Sequence, residues 1–189
     1  MAQHGSTLEG VAAAARGAGP RGLPPVHLWN PERCGEIDIV IRRDGSWLHE
    51  GTPIGRPALA RLFSTVLRKD PDGYYLVTPV EMLKITVEDA PFTAVRVDRV
   101  DDVLRFTTNM GDVVDAGPAD PIRVEIDPET GEPAPYVHVR RGLEARLLRP
   151  VFYELAALAE AGEGPEGAQM GVRSGGAFFP IAPPETALP

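Results

Sequence analysis

The chain has 189 residues, of which 43% are hydrophobic, and a formal net charge of -8. This length allows one domain or two small domains with a buried core. No apolar run approaches the ~20 residues that a membrane-spanning helix needs. No segment gathers enough lysine and arginine for a strong basic stripe. The sequence therefore disfavours a membrane protein and a nucleic-acid-binding protein.

The compartment is predicted to be the cytoplasm. The N-terminus lacks a basic head followed by an apolar stretch, which is the pattern of a secretory signal. The single cysteine, Cys34, cannot form an internal disulfide, as is typical of proteins in a reducing compartment.

The first half of the chain predicts a hairpin, a loop and a helix. Residues 1–23 are expected to be a flexible arm with a short helix in their alanine run. Isoleucines alternate along 37–41, and Asp44-Gly45 then turns the chain into Trp47-Leu48, which indicates a hairpin. Pro57 occupies the position of a first helical residue, before a helical stretch to Arg68 whose apolar stripe is Leu59, Leu62, Phe63 and Val66.

The second half predicts mainly antiparallel sheet. Alternating apolar residues continue from Leu83 to Val139, and turn residues interrupt them at 89–91, 109–112 and 128–131. Arg149-Pro150 opens a last helix, which is expected to end near Gly162. A flexible glycine-rich loop and a tail, residues 182–189, are predicted to follow.

Two passages resemble each other in sequence. Residues 56–62 and residues 149–155 both begin with Arg-Pro, then carry an apolar residue and a leucine three positions later. Each passage follows a predicted hairpin. This order of elements favours an internal duplication, although proline is common at the first helical position in any protein.

Three groups of polar residues are candidates for a binding site, and each has a structural alternative. Residues 108–112, Thr-Asn-Met-Gly-Asp, could hold a polar ligand or a hydrated Mg²⁺ beside a nest of backbone N–H groups, or could simply form a tight turn. Glu81 follows a Thr-Pro step among apolar residues, and needs a partner such as Lys84, Arg56 or an arginine near Arg140. The resulting ion pair could be purely structural, with no role in binding or catalysis.

Four arginines precede or begin the last predicted helix. They could form an anion site or an ordinary cross-strand charge network with nearby acids. These arginines are Arg140, Arg141, Arg146 and Arg149.

The sequence contains no established catalytic or metal-binding signature. The phosphate loop, the dinucleotide fingerprint, the nucleophile elbow and the His-Glu-x-x-His pair are all missing. The four histidines are scattered, and Cys34 has no neighbouring histidine or cysteine. No catalytic residue, metal ligand or cofactor is therefore predicted.

Several motifs resemble those of a bacterial family named domain of unknown function 1285. The resemblance extends from about residue 24 to about residue 181. The residues that carry it are Pro24–Pro31, Asp44–Trp47, Gly51–Ile54, Leu76–Glu81, Val87–Phe92, Thr108-Asn109, Gly111-Asp112 and Pro135–Val137.

This resemblance implies an α+β fold of two related small units, each an antiparallel sheet with one helix. The second unit would resemble a pleckstrin-homology fold. The resemblance also implies a ligand site at the interface of the two halves, for a nucleotide-like molecule, and a part in signal transduction. The residues carried over to such a site are Thr78, Pro79, Glu81, Asn109, Asp112 and Arg140.

The first hypothesis for function is a regulatory module, not an enzyme, that binds a small anionic ligand between units 24–73 and 74–181. The alternative is a Mg²⁺-assisted hydrolase of a phosphorylated small molecule, in which Glu81 and Asp112 converge with Glu88 or Asp89. A second alternative is an adaptor that docks a partner protein.

Overall fold

The computed structural model describes residues 8–17 and 23–182. The chain divides into two compact units, Met1–Asp89 and Ala90–Pro189. The sequence predicted the division between residues 73 and 74, whereas the structure places it at the Asp89-Ala90-Pro91 interruption. The reason is strand pairing, because the two strands between these boundaries pair within the first unit.

The first unit contains two helices and a six-stranded sheet in its described part. The predicted hairpin is confirmed, since Ile41 lies opposite Trp47. The helix predicted at Pro57 is also confirmed, but it ends at Thr65 and a strand follows it. The elements are α1 (Leu8–Gly17), β1 (Cys34–Ile41), β2 (Trp47–His49), β3 (Thr52–Pro53), α2 (Pro57–Thr65), β4 (Leu67–Asp70), β5 (Gly73–Val77) and β6 (Met82–Val87).

The second unit contains a six-stranded sheet, one helix and a three-stranded sheet in its described part. Its elements are β7 (Phe92–Val100), β8 (Val103–Thr108), β9 (Val113–Asp115), β10 (Ile122–Ile126), β11 (Pro133–Arg140), β12 (Leu143–Leu147), α3 (Arg149–Ala157), β13 (Glu160–Gly164), β14 (Gly167–Ser174) and β15 (Ala177–Pro180).

The two large sheets have the same strand order. The first runs β3-β2-β1-β6-β5-β4, and the second runs β9-β8-β7-β12-β11-β10. Each sheet consists of two antiparallel three-stranded meanders, and a parallel pair, β1 with β6 or β7 with β12, joins them at the centre. The prediction of two related α+β units is confirmed, and this shared topology is the feature that relates them.

The helices that suggested the duplication do not occupy equivalent places in this order. α2 lies between the two meanders of the first unit, whereas α3 follows the last strand of the second sheet. α1 lies in residues 1–23, the predicted arm in which a short helix was expected, and α2 is the one α-helix of residues 24–73. The predicted likeness of the second unit to a pleckstrin-homology fold is not confirmed.

Each unit has its own apolar core. In the first unit, the fully buried ring of Phe63 on α2 stacks on Trp47 of β2, with 6.4 Å between ring centroids. In the second unit, Phe92 and Phe106 of the sheet and Leu155 of α3 are fully buried, and α3 packs against β7. Burial of such side chains is the dominant favourable contribution to folding.

The N-terminal arm was predicted to be flexible, and part of it is a packed helix. Val11, Ala12 and Ala15 of α1 are buried, and α1 packs against α2. Residues 1–7 and 18–22 of the predicted arm, and residues 183–189 of the predicted tail, lie outside the described residues.

The glycine-rich segment after α3 was predicted to be a loop, but it forms β13, β14 and β15. The hydroxyl of Ser174 on β14 donates to the carbonyl of Ala116 at 2.6 Å and accepts the Leu104 N–H at 2.7 Å. These two bonds fix the small sheet to β8 and to the chain after β9. In the described part of the chain, no helix is long and apolar enough to cross a membrane.

Candidate functional site

Thr78, Pro79 and Glu81 lie together in the hairpin turn between β5 and β6. The Thr78 hydroxyl accepts the N–H groups of Val80 and Glu81, at 3.4 and 3.2 Å. The Thr78 N–H donates to the Glu81 carbonyl at 2.9 Å. Thr78 is fully buried, so its side chain serves the turn. The sequence placed this turn between the two halves, whereas it connects two strands of the first unit.

Glu81 is buried and paired, as its sequence context predicted, but its partner is different. The carboxylate lies 3.7 Å from Nε of Arg33, a residue that the sequence analysis did not consider. Arg33 immediately precedes β1, and its carbonyl accepts the Met82 N–H at 2.9 Å. The long-range pairing of β1 with β6 brings them together, and no local sequence signal could have shown it.

In the second unit, residues 108–112 form the turn between β8 and β9. The Thr108 hydroxyl accepts the N–H groups of Met110 and Asp112, at 3.2 and 3.1 Å. The Gly111 N–H donates to the Thr108 carbonyl at 3.0 Å, and the Asn109 N–H donates to Thr93 at 2.9 Å. Every N–H group from Asn109 to Asp112 therefore has a partner within the protein. These residues therefore form a tight turn, because the backbone N–H groups that could have held a ligand already bond to protein oxygens.

Asn109 extends the ladder between β7 and β8. Its Oδ1 accepts the Thr93 N–H at 3.1 Å, while its own N–H donates to the Thr93 carbonyl. Thr93 is buried, and a buried N–H without an acceptor would destabilise the fold. The Asn109 side-chain oxygen therefore has a structural task at the start of β7.

Arg140 and Asp112 form an ion pair at the same end of this sheet. Only 14% of the Arg140 side chain and 18% of the Asp112 side chain are exposed. The Arg140 guanidinium lies 4.8 Å from the centroid of the Phe92 ring, a cation–π distance. Asp112 also accepts from the Thr108 hydroxyl at 3.2 Å. The predicted residues Asn109, Asp112 and Arg140 are thus neighbours in the second unit.

A β-bulge and a tight turn orient Arg140. Val139 is an extra residue in β11, because His138 pairs with Glu144 and Arg140 pairs with Leu143. Such bulges change the direction in which a strand's side chains point. Arg141 and Gly142 then make a two-residue turn with φ angles of 46° and 76°, the left-handed region that this type of hairpin requires.

His138 holds this turn in place. Its Nε2 accepts the Gly142 N–H at 2.9 Å, so the ring hydrogen is on Nδ1, which lies 2.7 Å from Asp120. No role was predicted for His138, since nothing in the sequence shows that it faces its own turn.

Arg141 is the exposed member of this cationic group. Within residues 8–17 and 23–182 it makes no hydrogen bond or ion pair, in contrast to Arg140. Burial lowers the pKa of Arg140, Asp112 raises it, and the nearby charge of Arg141 lowers it further. The two guanidinium groups therefore repel each other at a place where Asp112 partly neutralises one of them.

The other arginines before α3 mostly belong to a charge network. Arg123 binds Glu144 at 2.6 Å and also pairs with Glu125. Arg149 lies 3.2 Å from Glu132, and Arg146 donates to the Tyr136 hydroxyl at 3.3 Å. Arg149 therefore has an acidic partner and Arg146 contacts the tyrosine opposite it on β11, while Arg140 and Arg141 form a separate group.

The acids of the hydrolase hypothesis have other partners. Glu88 accepts the Arg43 N–H at 3.0 Å, and Asp89 lies 3.8 Å from the Arg43 side chain. In the part of the chain that the structure describes, no group of three or more His, Cys, Asp and Glu side chains could hold a metal ion.

Comparisons with known proteins place both units in one family. The N-terminal domain model of domain of unknown function 1285 (DUF1285) matches residues 24–90, and the C-terminal domain model matches residues 91–181. No curated protein matches the chain.

Two crystal structures of DUF1285 family proteins are similar to this chain. The protein from Silicibacter pomeroyi DSS-3 is 51% identical, with 93% of this chain and 96% of that chain covered and a TM-score of 0.83. The protein from Shewanella baltica OS155 is 27% identical, with 61% of this chain and 87% of that chain covered and a TM-score of 0.50.

Proposed function

This chain belongs to the DUF1285 family, and we propose that it is a regulatory module that binds a small anionic molecule beside Arg140 and Arg141. The observation that carries the proposal is the unequal charge balance at this end of the second sheet. Arg140 pairs with Asp112, whereas the nearby guanidinium of Arg141 has no ion-pair partner among the described residues. A bound phosphate or carboxylate would relieve their repulsion.

The geometry favours a guanidinium–anion contact that is largely preformed. The Phe92 ring and Asp112 hold Arg140 in one orientation, and the two-residue turn fixes the backbone of Arg141. A guanidinium presents several N–H donors in a plane, which suits phosphate and carboxylate oxygens. Little side-chain entropy of Arg140 would then be lost on binding.

A regulatory role is favoured over a catalytic one by the hydrogen bonds around the two arginines. The hydroxyl of Thr108 and the side-chain oxygen of Asn109 serve the turn and the sheet, and Asp112 is paired with Arg140. A catalytic base must be within reach of the proton that it removes, and these groups already have protein partners. The proposed module therefore binds its ligand without converting it.

The ligand class can be tested by thermal unfolding with ATP, AMP, glucose 6-phosphate and succinate, each with and without Mg²⁺. A ligand at one hundred times its dissociation constant adds ~2.7 kcal/mol to the free energy of unfolding, which raises the midpoint. We expect at least one of these anions to raise the midpoint of the wild type.

Arg141→Asn should abolish that shift without destabilising the protein, because asparagine tolerates a positive φ angle. The matched control is Arg99→Asn, at an exposed position near the other end of β7. Equal shifts in the wild type and in Arg141→Asn would overturn the proposal. A shift that requires Mg²⁺ and yields a product would favour the hydrolase, and no shift at all would favour the adaptor.

A further inference from the structure

The second unit has a cleft between β10 and the small sheet, away from the residues of the proposed anion site. Its volume is about 320 Å³, which lies in the range of small-molecule sites. Val124 and Ile126 line one side, and Pro180 and Ile181 line the other. Ile126 is 43% exposed, so part of its apolar surface is accessible in the cleft.

One polar side chain in the lining is buried without a full set of partners. Gln169 on β14 is 8% exposed, and its Oε1 has no hydrogen-bond partner among the described residues. Its Nε2 donates to the Ala182 carbonyl at a long 3.4 Å. A buried acceptor without a donor lowers stability, so its presence needs an explanation.

The glycine of the neighbouring strand makes room for this amide. A Cβ atom at Gly164 would lie 2.0 Å from Oε1 of Gln169, so the observed side-chain position requires glycine there. Oε1 lies against Gly164, and a rotation about the broad terminal torsion of the glutamine, which gives up the long bond to Ala182, turns it toward the cleft.

The one charged residue in the described lining is Glu166. Glu166, in the turn between β13 and β14, is exposed and makes no hydrogen bond or ion pair with the described residues. The described lining contains no lysine, arginine or histidine. An apolar cleft with an acceptor and a carboxylate is complementary to an apolar molecule that carries a cationic N–H donor.

We propose that this cleft binds a small primary ammonium compound with an aliphatic body. The body packs against Val124, Ile126 and Ile181, the ammonium group donates to Oε1 of Gln169, and Glu166 supplies the opposite charge. This site takes a ligand of the opposite charge to the one proposed for Arg140 and Arg141. The two proposals can therefore be tested independently of each other.

The test is NMR titration of the full chain with three probes of equal chain length, n-hexylammonium, n-hexanol and hexanoate. We expect hexylammonium to bind at least tenfold more tightly than hexanoate, and to shift the signals of the Gln169 side-chain amide and the backbone of Gly164. Equal affinity for hexylammonium and hexanoate, or no binding of hexylammonium, would overturn the proposal.

Two variants make the test specific. Gln169→Leu removes the acceptor at similar volume, so it should weaken hexylammonium binding at least tenfold, leave hexanol binding intact and raise the melting temperature. Ile126→Lys places a competing ammonium group in the cleft and should abolish hexylammonium binding while the fold persists.

The matched control is Met170→Leu, at the exposed position next to Gln169, on the other face of β14. It should bind all three probes as the wild type does. Unchanged hexylammonium affinity in Gln169→Leu would show that the glutamine is a structural residue only and would overturn the assignment.

Discussion

At the scale of single residues, the ion pair of Arg140 and Asp112 has a structural role whatever ligand the protein binds. Asp112→Asn would leave the buried guanidinium without its carboxylate. We expect the free energy of unfolding to fall by on the order of 2–3 kcal/mol. This is less than the ~3–5 kcal/mol for a fully buried pair, because both side chains keep some exposure to water. Urea unfolding measures the loss.

The control for this prediction is an exposed pair of the same unit. Arg149 and Glu132 are 74% and 65% exposed, so Glu132→Gln should change the free energy of unfolding by less than ~0.5 kcal/mol. Equal losses in the two variants would mean that the burial of Arg140 has no energetic consequence.

The hydrogen bond from the Tyr75 phenol to Asp72 links stability to pH. It is 2.6 Å long, raises the pKa of Tyr75 to about 12, and lowers the pKa of Asp72. A raised tyrosine pKa means that the folded state holds its proton more tightly than the unfolded state. The tyrosine contribution is therefore complete below the usual pKa of ~10 and is lost as the pH rises toward 12.

Tyr75→Phe should lower the urea midpoint at pH 7. The difference from the wild type should then shrink between pH 10 and pH 12, where the wild type loses this contribution. Asp72 has a lowered pKa, so its contribution is present at neutral pH and is lost as the pH falls below ~4. A difference that stays constant from pH 7 to pH 12 would contradict the assignment.

At the scale of elements, Ser174 attaches the small sheet to the second unit. Its hydroxyl is fully buried and bonds both the Leu104 N–H and the Ala116 carbonyl. Ser174→Ala leaves two buried backbone groups without this partner, and should cost about 2 kcal/mol in urea unfolding.

Ser46→Ala is the comparison for Ser174→Ala, since the Ser46 hydroxyl bonds Asp44 in an exposed turn. That variant should lose less than ~1 kcal/mol. A smaller loss in Ser174→Ala than in Ser46→Ala would show that the small sheet does not depend on this contact.

Local patterns predicted the elements that have strong local signals. The Asp44-Gly45 turn identified the first hairpin, and proline at the first helical position identified α2 and α3. The small sheet was missed because β13 and β14 carry four glycines between Glu160 and Ser174, which are typical of loops. Those glycines have a packing reason, since a Cβ at Gly162 would lie 2.4 Å from the Phe178 ring.

At the scale of the whole molecule, the repeated strand order is the main result. Its central parallel pairs join strands that are far apart in sequence, and this kind of pairing leaves no local signal. The predicted domain boundary, between residues 73 and 74, lies sixteen residues before the boundary in the structure. The alternating apolar pattern is the same in β5, β6 and the strands of the second unit, so it does not show where the first unit ends. The family motifs supplied the relation between the units that periodicity alone could not.

Because each unit has its own sheet and core, residues 1–89 and 90–189 should each fold as separate chains. Each fragment should give a dispersed amide NMR spectrum and a cooperative thermal transition. A fragment with the spectrum of an unfolded chain would contradict the independence of that unit.

The candidate site was predictable only in part. The sequence selected Asn109, Asp112 and Arg140, and these residues are neighbours, but their function stays a prediction. Arg33, Phe92 and His138 were missed because only the folded chain brings them to their partners. Arg141 was named in a group of four, and nothing in the sequence separated it from its paired neighbours.

Binding of an anion beside Arg140 and Arg141 can be followed in the amide NMR spectrum of the full chain during titration with inorganic pyrophosphate at constant ionic strength. We expect saturable shifts at Arg141, Gly142 and Asp112, and their loss in Arg141→Asn. Shifts at other positions only, or no shifts at millimolar pyrophosphate, would contradict the proposal.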